Sequence, residues 1–158
     1  MSIMAVILLT TGQSRIMFIS LFELKVSMNR KAKGTSAERE LIHKFWTAGW
    51  AAVRGAGSGS MRYPSPDIIA ATPVRRLALE CKASGDGYQY LDQEDVSQLR
   101  LFSLKFAAEP WFAVRFDGEG WYFVSLEDLE SSGKAYSISI MQAKSRGLLF
   151  DELLGKFQ

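Results

Sequence analysis

Residues 65–71 of the chain are Ser-Pro-Asp-Ile-Ile-Ala-Ala, and residues 80–82, thirteen positions beyond Asp67, are Glu-Cys-Lys. Pro66 directly precedes an apolar run, and proline is tolerated at the first position of a strand, so we expect Asp67 where a strand begins. Residues 72–76 have turn composition, and the apolar run that starts at Leu77 supplies the returning strand. The two segments therefore predict a β-hairpin with acidic residues on both strands.

The polar side chains of this hairpin suggest a chemistry. Because strand side chains alternate between faces, Glu80 and Lys82 should share one face. Leu79 and Cys81 should share the other. With Asp67 nearby, two carboxylates and an amine can meet at a hard cation such as Mg²⁺ or Mn²⁺, which polarises phosphates and activates water. Metal-assisted phosphodiester cleavage is one interpretation; a simple Pro-Asp turn and a solvated Glu-x-Lys pair is the other.

A third carboxylate is predicted on a helix upstream of the hairpin. The pattern indicates an amphipathic helix from Thr35, as N-cap, to Ala48, with Gly49 as its stop. On a helical wheel Glu38 lies about 20° from Phe45 and about 40° from Ile42, on the apolar side. A buried carboxylate needs a cation or a hydrogen-bond donor. Glu38 is therefore a candidate metal ligand, although a capping box with the N-cap residue also accounts for it.

A glycine-rich segment joins this helix to the hairpin. Trp50–Val53 has strand composition and leads into Arg54-Gly55-Ala56-Gly57-Ser58-Gly59-Ser60. Glycines allow the backbone to approach a phosphate closely, but no Gly-Lys-Ser/Thr follows at the Walker spacing. The segment is either a phosphate-contacting loop or a flexible connection.

Five segments occur in a specific order along the chain: Ala37-Glu38-Arg39-Glu40-Leu41, Val53-Arg54-Gly55-Ala56-Gly57-Ser58, Pro66-Asp67-Ile68-Ile69-Ala70, Leu79-Glu80-Cys81-Lys82 and Ala113-Val114-Arg115-Phe116. The ordered set resembles the archaeal Holliday junction resolvases of the Hjc/Hje type, within the PD-(D/E)xK nuclease superfamily. The resemblance covers roughly residues 29–140. It implies an α/β fold with a mixed central β-sheet flanked by helices, a restriction-endonuclease-like (PD-(D/E)xK) core.

The resemblance also implies roles for individual residues. It implies one carboxylate site for Mg²⁺, with Mn²⁺ as a substitute, and a catalytic lysine, formed by Glu38, Asp67, Glu80 and Lys82. It further implies residues that contact the DNA junction, namely Arg39, Arg54, Ser58 and Arg62, of which Ser58 also takes part in catalysis. Cys81 departs from the β-branched residue expected there, but it should point to the core side of its strand.

The expected activity is that of a structure-selective endonuclease, which resolves four-way DNA (Holliday) junctions by paired, symmetric, metal-dependent nicks in recombination and repair. The resemblance implies a homodimer, and two sites related by a two-fold axis explain paired nicks. Two alternatives stay open: a related nuclease that cuts linear or flapped DNA, and a junction-binding protein that does not cut. A replication or recombination protein partner is left open, because nothing in the sequence identifies one.

Composition excludes several other classes of protein. The chain has 158 residues, of which 47% are hydrophobic and 23% charged, as expected for one globular domain. With one cysteine and one histidine, the chain cannot form an internal disulfide or a Cys/His zinc site. A Ser-His-Asp mechanism would have to use His43, the only histidine. The net charge of +2 is too small to argue for DNA binding by itself. A reduced, cytoplasmic protein without a membrane segment is expected.

The first 28 residues differ in composition from the rest of the chain. Residues 1–28 hold few charges, lack a basic stretch before their apolar runs and are too short in those runs to cross a bilayer. We expect an N-terminal extension there, with Met28 as the biological start, and a nuclease domain over residues 29–158.

Further elements are expected after the metal hairpin. Ser84–Tyr90 has loop composition, and Asp92 is expected to cap a second helix. The aromatic segments Trp111–Phe116 and Trp121–Leu126 predict a hairpin whose faces are buried in the core or in a dimer interface. Ser139–Gln158 is expected to be helical and packed on the body or on a partner subunit. Whether Met141–Arg146 forms a basic loop for DNA or for a protein partner is left open, because nothing in the sequence decides.

Overall fold

The structure is a computed structural model that describes residues 7–9, 17–19, 21–55, 62–133 and 135–156. Two compact units divide between Thr35 and Ser36. In the first unit, β1 (Ile7–Leu9) pairs antiparallel with β2 (Met17–Ile19). Helix α1 (Leu21–Thr47) begins in that unit and ends in the second. A search of the described part of the chain finds no helix with the length and apolarity needed to span a membrane.

The second unit contains the remaining elements. They are β3 (Ala51–Arg54), β4 (Ile68–Ala71), β5 (Arg76–Ser84), β6 (Tyr88–Asp92), α2 (Gln93–Phe106), β7 (Glu109–Phe116), β8 (Gly120–Ser125), a 3₁₀ turn (Leu126–Asp128), β9 (Glu130–Ser132), β10 (Ala135–Ser139), α3 (Ile140–Arg146) and α4 (Phe150–Leu153).

The central sheet has five strands in the order β3-β4-β5-β7-β8. All of its neighbours pair antiparallel except β5 and β7, which run parallel from the pair Leu77↔Glu109 to the pair Ser84↔Phe116. The chain between these two strands passes through β6 and α2, as a parallel pair requires. β6 joins a smaller antiparallel sheet of order β6-β10-β9. The predicted mixed sheet flanked by helices is therefore confirmed.

Each face of the central sheet has its own hydrophobic core. On one face the buried side chains come from α1, the sheet and α4: Leu41, Phe45, Ile68, Leu77, Leu79, Ala113, Phe123 and Leu153. On the other face they come from α2, the sheet, β10 and α3: Ala78, Val96, Leu99, Phe112, Val114, Tyr122, Val124, Ile138 and Ala143. The alternation of β5 follows the prediction, because Leu79 and Cys81 lie on the α1 side.

The aromatic hairpin β7–β8 is buried within the chain. Phe112 and Phe123 are fully buried, and Trp121 and Tyr122 are 6% and 8% exposed. These side chains divide between the two cores. Of the two expectations for this hairpin, core burial is therefore the one that the structure supports.

The predicted start of the first helix is wrong, whereas its end is confirmed. Thr35 lies inside α1 and not at an N-cap, because residues 21–34 contain no proline and several good helix formers. A capping box between Thr35 and Glu38 is therefore excluded. At the other end, Gly49 adopts a left-handed φ of 84° directly beyond the last turn.

The structure also decides three local expectations. The predicted loop over Ser84–Tyr90 ends in strand β6, because Tyr88 onward pairs with β10. Met141–Arg146, where a basic loop was left open, lies in helix α3, which has a capping box between Ser139 and Gln142. Asp92 does occupy the N-cap of α2, but its side chain makes no capping hydrogen bond.

Candidate active site

Asp67 lies at the point where the ladder between β4 and β5 ends. The last paired residues are Ile68 and Leu79, so the same register places Asp67 opposite Glu80. The backbone carbonyl of Asp67 accepts a hydrogen bond from the amide of Gly55 at 2.8 Å. Its Oδ2 accepts a second one from the amide of Cys81, also at 2.8 Å. Asp67 is thereby held on both sides at the edge of the hairpin.

Gly55 allows the chain to approach this site closely. A Cβ atom at position 55 would stand 2.0 Å from the carbonyl oxygen of Pro66 and 2.9 Å from Oγ of Ser65. Only glycine fits without moving the backbone that precedes Asp67. This close approach explains why residue 55, the first glycine of the glycine-rich segment, is a glycine.

Lys82 lies between two carboxylates. Its Nζ donates to Oε1 of Glu80 at 3.0 Å and to Oδ2 of Asp95, on α2, at 2.8 Å. The three side chains are 23%, 16% and 33% exposed, respectively. They line a cleft of about 210 Å³ together with Ser65, Pro66, Gln98 and Leu99. The cleft thus combines partly desolvated acids with a fixed cation.

The electrostatics of the cleft follow from burial and from this crowding. The pKa of Glu80 is raised to about 7, because burial and the neighbouring Asp67 charge, with a smaller effect of Asp95, together outweigh the lowering by Lys82. For Lys82, burial opposes the charge, but Glu80 and Asp95 outweigh it and raise its pKa above the ordinary value. The charged form of Lys82 is thus stabilised, whereas the ionised form of Glu80 is destabilised.

Glu38 reaches the same neighbourhood from α1. It forms an ion pair with Nε of Arg54 on β3, and its side chain is only 12% exposed. Burial raises the pKa of the Cys81 thiol, and the charges of Asp67, Glu38 and Glu80 raise it further, so all three carboxylates act on one buried atom. Within the described residues, however, no three His, Cys, Asp or Glu side chains form a group that could hold a metal ion.

The structure therefore unites some of the predicted site residues and separates others. Glu80 and Lys82 line one cleft, Asp67 lies opposite Glu80 on the neighbouring segment, and Glu38 pairs with Arg54. The remaining DNA-contacting predictions are divided: Arg39 and Arg62 are exposed, and Ser58 lies outside the described residues.

Comparison with known proteins identifies the family. The model of the archaeal Holliday junction resolvase family (Hjc) matches residues 29–158. The chain belongs to this family. A crossover junction endodeoxyribonuclease Hjc of Archaeoglobus fulgidus is 38% identical over 127 residues, which cover 80% of this chain and 93% of the relative. A second Hjc, from Methanocaldococcus jannaschii, is 35% identical over 124 residues, covering 78% and 88% of the two chains.

A solved structure agrees with this assignment. The 1.6 Å structure of Archaeoglobus fulgidus Hjc, a Holliday junction resolvase from an archaeal hyperthermophile, superimposes with a TM-score of 0.73 at 36% identity. The match covers 80% of this chain and 98% of that one. The Hjc-type fold, with a restriction-endonuclease-like core, is therefore shared.

Asp95 is the residue of the cleft that the sequence analysis missed. The signal was present, because on a helical wheel Asp95 lies about 20° from Phe102 and about 40° from Leu99. This is the same relation to an apolar stripe that singled out Glu38 on α1. A carboxylate placed beside a buried stripe predicts a buried partner, which in this member of the resolvase family is Lys82.

Proposed function

We propose that the chain is a metal-dependent endonuclease that resolves four-way DNA junctions by paired nicks. The observation that carries the proposal is the grouping of Asp67, directly before β4, with Glu80 and Lys82 on the neighbouring strand β5. Relatives that share most of this domain bear the name crossover junction endodeoxyribonuclease. Two acids and a lysine grouped on neighbouring strands suit hydrolysis of a phosphodiester.

The carboxylates are the proposed ligands of Mg²⁺, with Mn²⁺ as a substitute. Asp67 and Glu80 fit a hard divalent cation, because their oxygens suit it and because its charge would offset the repulsion that raises the pKa of Glu80. Glu38, whose Oε2 pairs with Arg54, is proposed as the third ligand. When bound, the cation polarises the scissile phosphate and lowers the pKa of the attacking water.

The other side chains have roles that follow from their positions. Lys82 presents a fixed positive charge in the cleft, where it can orient water and stabilise the charge that develops on the phosphate. Arg39 and Arg62, both exposed, and the half-exposed Arg54 are proposed to contact DNA phosphates, which position a substrate without reading its sequence. Ser58 is proposed to orient the scissile phosphate.

We also propose that the active form is a homodimer. Helix α2 exposes Leu101 and Leu104, which are 44% and 80% exposed and lie about 60° apart on one side of the helix. An apolar helix face of this kind is suited to burial against a second copy. Sedimentation velocity tests this: a variant with glutamate at positions 101 and 104 should be monomeric, whereas Leu149→Glu, at a site 51% exposed outside α2, should sediment as the wild type.

Cleavage of a labelled junction tests the activity. The chain is incubated with a four-way junction, and with a linear duplex of the same arm sequences, in Mg²⁺ or in chelator. Symmetric nicks in the junction alone, lost on chelation, are expected. Equal cutting of the duplex would indicate a general nuclease, and tight junction binding without nicks would indicate a binding protein.

Variants of the two central carboxylates test the site. Asp67→Asn and Glu80→Gln should abolish cutting and leave junction binding largely intact, because shape and hydrogen-bonding atoms are kept while the ligand charge is lost. Asp86→Asn is the matched control, since Asp86 is exposed and lies on the same chain segment beyond β5. Cutting at the wild-type rate by either active-site variant would remove that residue from the site.

A further inference from the structure

Asp95 stands out because it comes from a different layer of the fold than the acids of the β4–β5 hairpin. Asp67 and Glu80 lie at the edge of the hairpin, whereas Asp95 lies in the first turn of α2. Its Oδ2 accepts from Nζ of Lys82 at 2.8 Å, which is shorter than the 3.0 Å contact with Glu80. Lys82 is therefore held from two directions, by its own strand and by a packed helix.

The position of Asp95 is fixed by the packing of helix α2 against the sheet. Val96 and Leu99 are each 3% exposed and pack in the core on the α2 side of the sheet. Gln98 and Leu99 line the same cleft as Asp95. A lysine has a long flexible stem that costs about 2 kcal/mol of rotamer entropy to fix, so a carboxylate on a rigid element matters for its position.

We propose that Asp95 is a positioning residue, which keeps Lys82 aimed into the cleft when Glu80 binds the divalent cation. The inference rests on the proposed function, because it is the cation that competes with Lys82 for Glu80. A carboxylate that ligates a metal shares its charge with that metal and holds a neighbouring ammonium less strongly. Asp95 is then the carboxylate that still holds Lys82. Without it, the Lys82 ammonium group is no longer kept close to the scissile phosphate.

Single-turnover cleavage of the four-way junction at saturating Mg²⁺ tests the inference. Asp95→Ala should lower the maximal rate about 10- to 100-fold, as expected when a catalytic group is misplaced by about an ångström. Asp95→Asn, which keeps one acceptor oxygen, should lose less. Junction affinity measured in chelator should stay unchanged. Glu94→Gln is the control, because it removes one charge from the exposed neighbouring position on the same helix.

A double-mutant cycle separates positioning from a general structural effect. If Asp95 acts through Lys82, then Asp95→Ala should cost little further rate in a Lys82→Met background. Full additivity of the two changes would overturn the inference. A rise of more than about tenfold in the Mg²⁺ concentration needed for half-maximal rate, at an unchanged maximum, would do the same, since it would make Asp95 a metal ligand.

The outcomes also distinguish the two levels of the proposal. If the wild-type chain does not cut junctions, the proposed function fails and this inference fails with it. If the wild type cuts and Asp95→Ala cuts equally fast, the proposed function stands and the role of Asp95 is refuted.

Discussion

Replacing Glu80 by glutamine should stabilise the metal-free chain. In the folded state burial and Asp67 raise the pKa of Glu80 from an ordinary value of 4.5 to about 7, so the charged form is disfavoured even with Lys82 beside it. At about 1.4 kcal/mol for each pH unit, this difference corresponds to a cost of about 3 kcal/mol for the ionised carboxylate. Glutamine resembles the protonated acid and does not incur this cost.

The sign of the pH dependence follows from linkage. Between pH 4.5 and pH 7 the folded chain holds a proton on Glu80 that the unfolded chain has released, so raising the pH through this window destabilises the wild type. Glu80→Gln lacks that proton equilibrium. Its advantage in free energy of unfolding should therefore be about 1 kcal/mol or less at pH 5 and about 3 kcal/mol at pH 8, with no further growth at higher pH.

Denaturant unfolding in chelator, at several pH values between 5 and 8, measures this difference. Glu94→Gln, at an exposed position, should stay within about 0.5 kcal/mol of the wild type throughout. A difference between Glu80→Gln and the wild type that does not change with pH, or a wild type that is the more stable chain at pH 8, would refute the electrostatic account of the cleft.

Three other substitutions test packing and ion pairing, the first beside the site and the other two elsewhere in the fold. Gly55→Ala should lower stability by about 1–3 kcal/mol and slow cleavage, because the new Cβ would lie 2.0 Å from the carbonyl oxygen of Pro66; thermal unfolding and the cleavage rate report this. Arg75→Lys should cost about 1–2 kcal/mol, since lysine cannot reproduce the fork that reaches both Glu109 oxygens at 2.9 and 2.7 Å. The arginine's hydrogen bonds lower the pKa of Glu109, so that cost should shrink as acid protonates the carboxylate, which urea unfolding at pH 7 and pH 3 can detect. Phe123→Ala, in the fully buried core between β8 and α4, should cost about 3–5 kcal/mol in the same assay.

The hairpin and its residues could be predicted from the sequence because their signals are local. The Pro-Asp start, the turn and the period of two in Leu79–Lys82 determine the strand positions and faces, and these predictions were confirmed. Glu38 on the inner side of α1 was also predicted correctly, since a helical wheel needs only the spacing of residues. The family assignment followed from the ordered combination of these segments.

What could not be predicted depends on contacts between distant segments. Tyr88–Asp92 became a strand because β10, more than forty residues later, offers it a pairing partner. The partner that Glu38 finds in this structure, Arg54, is on another element, and the wheel shows only that some partner is needed. The early start of α1 was missed because Thr35 has the side chain of an N-cap residue, whereas no residue from Leu21 to Gly34 prevents the helix from continuing.

The carboxylate of Asp67 has a consequence for hydrogen exchange. Because it takes the place of a ladder carbonyl for the amide of Cys81, that amide is protected only while the side chain stays in position. Deuterium uptake at this one amide therefore follows the aspartate directly, without substrate and without turnover. If the exchange rate of the Cys81 amide changes when a divalent ion is titrated, and the neighbouring β5 amides do not change, that rate reports directly whether the ion is bound at the site.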